Sequence, residues 1–248
     1  MGEPIKNVKP AHHNVGTPGP DPHSVLRDMD AKGDLTGLST RSRLYVKRTF
    51  DVVVSLCLLV LFAPACLLIG LLIRFDSPGP VFFFQTRIGR NRRRAKAQQS
   101  ANGVGRTKNL YGAPFRVLKF RTMHTHAQAY ANSPVASTDA RITRVGRVLR
   151  KTCLDELPQL LNVLSGEMSL VGPRPEMPFI VERYDDVQRR RLDAKPGITG
   201  LWQLRGMRDR HIHESVGWDL YYVQNWSLHL DLSILAETVV FALRARNR

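Results

Sequence analysis

Asp155 and Glu156 stand side by side in CLDELPQLL, the stretch from Cys153 to Leu161. The chain carries 37 Lys and Arg against 21 Asp and Glu, so acidic residues are scarce. A touching pair in an apolar surround can supply a nucleophile, a general acid or base, or oxygen ligands for a hard divalent cation. It can also be a plain helix start. Thr152 followed by Asp155 fits the Ser/Thr-x-x-Asp/Glu capping pattern, and Pro158 is tolerated near a helix N-terminus. Leu157, Leu160, Leu161 and Leu164 continue as the next apolar stripe. Either way the two acids are expected in a first helical turn, where free N–H groups and the helix dipole favour anions.

Cations that would serve an anionic substrate stand in strands and rigid turns. Phe115 to Thr122 (FRVLKFRT) reads as a strand. Alternation places Phe115, Val117, Lys119 and Arg121 on one face. Lys119 and Arg121 would then project together, as a solvated edge or as a phosphate contact. In SLVGPRPE (Ser169 to Glu176), two prolines bracket Arg174 and restrict its backbone. A guanidinium on a rigid loop suits bidentate binding of phosphate or carboxylate. KPGITG (Lys195 to Gly200) is a second tight turn with Lys195 at its entrance. Ile142, Val145, Val148 and Leu149 form a helical stripe among Arg141, Arg144, Arg147, Arg150 and Lys151. The histidines of HIHE (His211 to Glu214), like His124 and His126, lack the spacing of a metal site.

These residues need positioning elements. Val81 to Thr86 (VFFFQT) reads as another strand, and the polar, basic stretch from Arg90 to Ala113 as a mobile loop whose charge could rest on anionic headgroups. No charged residue lies between Asp51 and Arg74. The apolar run Val52 to Ile73 would reach roughly 33 Å as a helix, enough for a bilayer core of about 30 Å. Pro64 sits in its middle, and both flanks are basic: Lys47 and Arg48 before it, Arg74 and then Arg87 to Lys96 after it. The positive-inside rule puts both ends on one side, which a helix bent at Pro64 satisfies and a straight span does not. Trp226 to Leu243 is amphipathic and could lie in a membrane interface or in the core. Residues 1–43 read as a disordered tail without a signal peptide.

A net charge of +16 calls for an anionic partner: nucleic acid, an anionic membrane or a phosphorylated small molecule. No nucleic-acid motif is present, and a membrane segment with a carboxylate pair is not what such a binder needs. Three cysteines without framework or zinc spacing point to a reducing compartment.

Together the segments resemble the bacterial sugar transferases, small monotopic phosphoglycosyl transferases that start polysaccharide and glycan assembly on a polyprenyl phosphate. The matching pieces are KRTFD before the apolar run, the proline inside it, FRVLKFRTM, DARITRVGRVLRKTCLDELPQLLNVLSGEMSLVGPRP, KPGITGLWQ and YYVQNWSLHLDLSIL. They follow the family's order from about Leu44 to Leu243. The resemblance implies a mixed α/β-type fold, mainly helical. A re-entrant membrane helix would span 44–75, and a catalytic domain 76–248, with interfacial amphipathic helices, would face the cytoplasm at the bacterial inner membrane.

It further implies a UDP-sugar donor, a polyprenyl (undecaprenyl) phosphate acceptor and magnesium (Mg2+), with membrane lipids and later glycan-pathway enzymes as partners and no nucleic acid. Asp155 would be the nucleophile that forms an aspartyl phosphosugar as UMP leaves; Glu156 would assist the metal or the proton. Lys119, Arg121, Arg150, Arg174 and Lys195 occupy the family's basic positions. The physics agrees: phosphoryl transfer needs in-line positioning and neutralised oxygens, and magnesium favours carboxylates plus substrate phosphates. The competing reading is a glycosyltransferase that moves only the sugar and releases UDP. Two departures stand out. Ala63 precedes the membrane proline where the family often has serine, a side chain able to satisfy backbone groups freed by a break. The Arg90 to Ala113 loop is longer than in compact members.

Overall fold

The computed structural model describes residues 20–31, 40–91, 111–127, 139–205 and 216–246. Most of the expected loop over 90–113 and all of HIHE lie outside the described residues. The elements run α1 (Pro22–Ala31), α2 (Thr40–Asp76), β1 (Phe82–Ile88), β2 (Pro114–Phe120), α3 (Arg144–Thr152), α4 (Gln159–Ser165), β3 (Ser169–Val171), α5 (Pro178–Val181), α6 (Asp186–Arg189), β4 (Gly197–Thr199), α7 (Leu201–Arg205), α8 (Gly217–Asn225) and α9 (Leu228–Arg246). Short 3-10 turns lie at Leu154–Glu156 and Arg190–Asp193. The architecture is mixed and mostly helical, as expected.

The uncharged run forms the body of α2, which includes Pro64. Only 11% of its most apolar window is buried, so α2 is not a core helix. Its two ends nevertheless dock on the same domain. Near the start, Phe50, Val54, Leu58 and Leu59 pack on the main core of Phe115, Val117, Leu160, Val163, Met168 and Leu170. Near the end, Ile69 and Ile73 pack with Phe120 and Leu149. Between them, Val60, Leu61, Ala63, Pro64, Ala65, Leu67 and Leu68 are exposed.

Polar contacts fix both ends. Lys47 Nζ donates to Asp231 Oδ2 (2.6 Å) and the Tyr222 hydroxyl (3.0 Å). Arg48 reaches the carbonyls of Val163 (2.5 Å) and Leu164 (2.7 Å), at the C-terminal end of α4. Asp51 accepts from Ser169 Oγ (3.0 Å) and Leu170 N (3.1 Å). At the other end, Asp76 Oδ2 accepts from Val145 N (2.9 Å) in the first turn of α3.

Two small sheets complete the frame. β1 and β2 pair antiparallel from Phe82 opposite Phe120 to Ile88 opposite Pro114. Phe115 and Val117 face the core, while Arg116 faces outward over the Phe84 ring. β3 and β4 pair in parallel, Ser169 opposite Gly197 and Val171 opposite Thr199. KPGITG is therefore a turn that becomes a strand. Gly172 and Gly197 make the approach: a Cβ on Gly197 would lie 2.1 Å from Gly172 N, which no side chain tolerates.

Residues 1–43 are not a tail throughout. Pro22–Ala31 is helical, opened by Asp21 Oδ2, which accepts from Ser24 N (3.0 Å). Val25 is buried against Val216 and Leu220 beside α8. An Asp cap, Pro in the first turn and one apolar residue with a waiting partner account for this order. Within α9, Asp231 and Ile234 are buried while Leu232, Ala236, Val239 and Val240 are exposed. One face thus serves the core and another remains apolar and open.

Candidate active site

α3 leads the chain to the carboxylates. Thr143 Oγ1 opens it by accepting from Gly146 N (2.9 Å), and Leu149 ties it to the end of α2. The helix stops at Cys153, which adopts φ 57°, ψ 15°. The left-handed region costs a non-glycine residue about 1–2 kcal/mol, so packing on both sides must hold it. This stop replaces the expected helix start. Thr152 Oγ1 donates back to Val148 O (2.9 Å) rather than capping forward. Asp155 and Glu156 sit in the 3-10 turn Leu154–Glu156, and α4 begins only at Gln159, after Pro158. A three-residue turn has little dipole, so cationic side chains must do the stabilising.

They converge on Glu156. Lys119 Nζ lies 2.6 Å from Glu156 Oε1, and Arg174 Nη2 lies 3.3 Å from the same oxygen. The Glu156 side chain is 16% exposed. Burial works to raise its carboxyl, but Lys119 and Arg174 outweigh it and bring the group down to about 2. Asp155 goes the other way. Burial raises its carboxyl above the ordinary value; the charge of Glu156 adds to this, while Lys119, Arg150 and Arg174 oppose it. Among the described residues no donor hydrogen-bonds to the Asp155 carboxylate. One acid is thus pinned and the other is open to a ligand.

The two cations are held by their supports. Lys119 ends the core-facing row of β2. Asn162 ties that strand to α4: Oδ1 accepts from Leu118 N (3.0 Å) and Nδ2 donates to Arg116 O (2.8 Å). Arg174 sits between prolines that donate no hydrogen bond, yet the four carbonyls around it are all engaged. Pro173 O accepts from Gly197 N (2.9 Å), Arg174 O from Arg191 Nη2 (2.8 Å), Pro175 O from Arg87 Nη1 (3.2 Å) and Glu176 O from Ile88 N (2.8 Å). The loop is as rigid as its prolines suggest.

The other expected site residues lie elsewhere or at the rim. Arg150 acts on Asp155 through its charge from the last turn of α3. Lys195 is half-buried at the entrance to β4. Arg121 does not share the Lys119 face: β2 ends at Phe120, and Arg121 turns inward, 5% exposed. Its guanidinium donates to Pro78 O (2.5 Å) and Ser77 O (2.7 Å), closing the end of α2. Burial pushes its pKa down. Pro64 lies in the exposed middle of α2, far along the chain from the carboxylates. Asn162, Arg191, Tyr184 and Asp219 were not legible as site residues; no local spacing marks them.

Among the described residues no cluster of three or more His, Cys, Asp or Glu could cage a metal. Magnesium does not require one, because it binds through one or two carboxylates and completes its shell with water and substrate phosphates. Glu156 Oε1 already serves Lys119 and Arg174. Asp155 and Glu156 Oε2 are the oxygens left, and that donor set fits a metal shared with a substrate.

Comparison with known proteins places the chain. A family model described as bacterial sugar transferase matches residues 42–245. The UDP-glucose:undecaprenyl-phosphate glucose-1-phosphate transferase of Caulobacter vibrioides is 41% identical over 213 residues, 81% of this chain and 71% of that protein. An exopolysaccharide production protein of Sinorhizobium fredii is 38% identical over 208 residues, covering 78% of this chain and 83% of its own. The undecaprenyl-phosphate galactose phosphotransferase of Salmonella typhimurium is 39% identical across 84% of this chain, which spans 42% of that longer protein. A carboxylate pair with one member pinned by cations, on a domain that grips both ends of an exposed apolar helix, belongs to a bacterial sugar transferase, and this chain is a member of that family.

Proposed function

We propose that this enzyme transfers a sugar 1-phosphate from a UDP-sugar to undecaprenyl phosphate, releasing UMP, by way of a covalent intermediate on Asp155. The observation that carries this reading is the asymmetry of the pair. Glu156 is ionised, with Lys119 and Arg174 both held on its Oε1, while Asp155, one residue away, accepts no hydrogen bond from the described residues.

An Asp155 oxygen attacks the β-phosphorus of the UDP-sugar. The phosphoanhydride bond breaks and UMP leaves with its electron pair, so an acyl phosphate joins Asp155 to the phosphosugar. An oxygen of the lipid phosphate then attacks the same phosphorus and the acyl-phosphate bond breaks, which regenerates the carboxylate. Lys119, Arg150 and Arg174 neutralise phosphate oxygens in both steps and hold the attacking oxygen in line. Magnesium, held by Asp155 and Glu156 Oε2, would neutralise the diphosphate and favour departure of UMP. Burial of Asp155 strips solvent from the nucleophile.

We further infer that α2 enters and leaves the cytoplasmic face of the inner membrane as a re-entrant helix. Its supports are the docking of both ends on one domain, the apolar exposed middle and the basic flanks. The lipid phosphate would then meet the carboxylates at the membrane surface.

Incubation with UDP-sugar labelled at the β-phosphate, without lipid, should label the wild-type protein on Asp155 and release UMP. Asp155→Asn should take no label and turn over no substrate while keeping its fold. Robust turnover by Asp155→Asn, or release of UDP in place of UMP, would refute the reading.

A further inference from the structure

Against the backbone of Arg174 lies a buried ion pair that the transfer steps do not use. Arg191 is 2% exposed and Asp219 is 1% exposed. Every arm of the Arg191 guanidinium is engaged. Nε and Nη2 donate to Asp219 Oδ2 (2.9 and 2.6 Å), Nη1 donates to the Tyr184 hydroxyl (2.6 Å), and Nη2 also donates to the Arg174 carbonyl (2.8 Å). Asp219 is carried by α8, and α8 is backed by α1 through Val25, Val216 and Leu220.

A buried pair of this kind is a poor source of stability. Desolvating two charges costs several kcal/mol per ion, and apolar residues of similar volume often serve the fold as well or better. What it offers instead is a fixed geometry. A guanidinium clamped along two edges holds a carbonyl more rigidly than water or an exposed side chain could. The carbonyl it holds belongs to the one residue of the proline loop whose side chain reaches Glu156.

We propose that Arg191, clamped by Asp219 and Tyr184, is a positioning residue that sets the Arg174 guanidinium against Glu156 and the substrate phosphate. The proposal rests on the reading above in which Arg174 meets that phosphate. Arg191 itself touches no substrate; it acts through the backbone of Arg174. A displacement of about 1 Å in such a group is enough to lower a rate about 100-fold.

The test is the double replacement Arg191→Leu with Asp219→Leu in the full-length protein, assayed for UMP release and for thermal unfolding. Replacing both charges leaves no buried ion alone. The melting temperature should stay within a few degrees of wild type while kcat/KM falls 10- to 100-fold. In an Arg174→Ala background the same double replacement should cost nothing further. Arg191→Lys keeps the charge on Asp219 but not the fork. It should lose kcat/KM likewise, and it decides the matter if the apolar pair does not fold. Wild-type kcat/KM in a folded variant, or losses that multiply in the Arg174→Ala background, would overturn the positioning role alone. Full activity of Arg174→Ala would overturn the Arg174 assignment, and this proposal with it. Neither result bears on labelling at Asp155.

Discussion

Lys119→Met removes the closer of the two cations on Glu156. The carboxyl of Glu156 is brought from an ordinary 4.5 down to about 2, a gap worth about 3 kcal/mol. That is a surplus remaining after burial has opposed it, so the total attraction of the two cations is larger. Lys119 at 2.6 Å and Arg174 at 3.3 Å share it roughly in inverse proportion to distance. Lys119 therefore carries slightly more than half, and its loss should cost at least about 2 kcal/mol. For a domain of this size that lowers the melting temperature by about 4–8 °C. A carboxyl held below its unfolded value stabilises the fold above about pH 4.5 and loses that contribution as pH falls through about 2. The gap between wild type and variant should thus be constant from pH 6 to 8 and narrow only in acid. Thermal unfolding in detergent across that range measures it. A second readout is independent of stability. Lys119 also lowers the carboxyl of Asp155, so the acid limb of kcat/KM should move to higher pH in the variant. A melting temperature within 1 °C of wild type at pH 7, with an unmoved acid limb, would refute the account of the pair.

Glu156→Gln should shift that limb in the opposite direction. The charge of Glu156 is one of the causes raising Asp155, so its removal lets Asp155 ionise at lower pH; single-turnover labelling against pH reads this, and an upward shift would contradict it. For α2, single cysteines placed beside Lys47 and just after Arg74 should react with an impermeant reagent from the same side of sealed vesicles. Reaction from opposite sides would establish a straight span instead.

Local patterning carried much of the fold into view. The strand at FRVLKF follows from alternation, that at FFFQT from its aromatic run, and α2 from a run without charge. Of the stripe Ile142, Val145, Val148 and Leu149, Val145 and Leu149 dock on α2 and Ile142 is buried, while Val148 faces outward. What stayed hidden depends on contacts far apart in sequence. Thr152 to Asp155 satisfies a capping pattern, yet the left-handed turn at Cys153 ends one helix just before the acids. The decision is made by packing of α3 against α2 and of α4 against β2. Alternation likewise puts Arg121 beside Lys119, but the rule ends where β2 ends, and Arg121 answers to open carbonyls at the end of α2. β3 and β4 are three residues each and exist only through each other. Arg191 and Asp219 lie 28 positions apart, and nothing in either neighbourhood announces a buried pair.

The carboxylate pair and the docking of α2 are built from the same pieces. β2 presents Lys119 to Glu156, and just past its end Arg121 turns to the carbonyls that close α2. α4 follows directly from the turn that carries Glu156, and its last carbonyls are taken by Arg48 of α2. α3 places Arg150 near Asp155 and receives Asp76 of α2 at its own first turn. These three supports of the site are therefore also grips on α2. A soluble donor needs no such arrangement, because it can diffuse to a site facing any direction. A lipid phosphate is confined to a plane, and the phosphorus it attacks must stand at one height above that plane. On the function proposed, building Asp155, its cations and α2 on shared elements sets that height. It also predicts that loosening either end of α2 weakens the lipid-dependent second step more than formation of the intermediate.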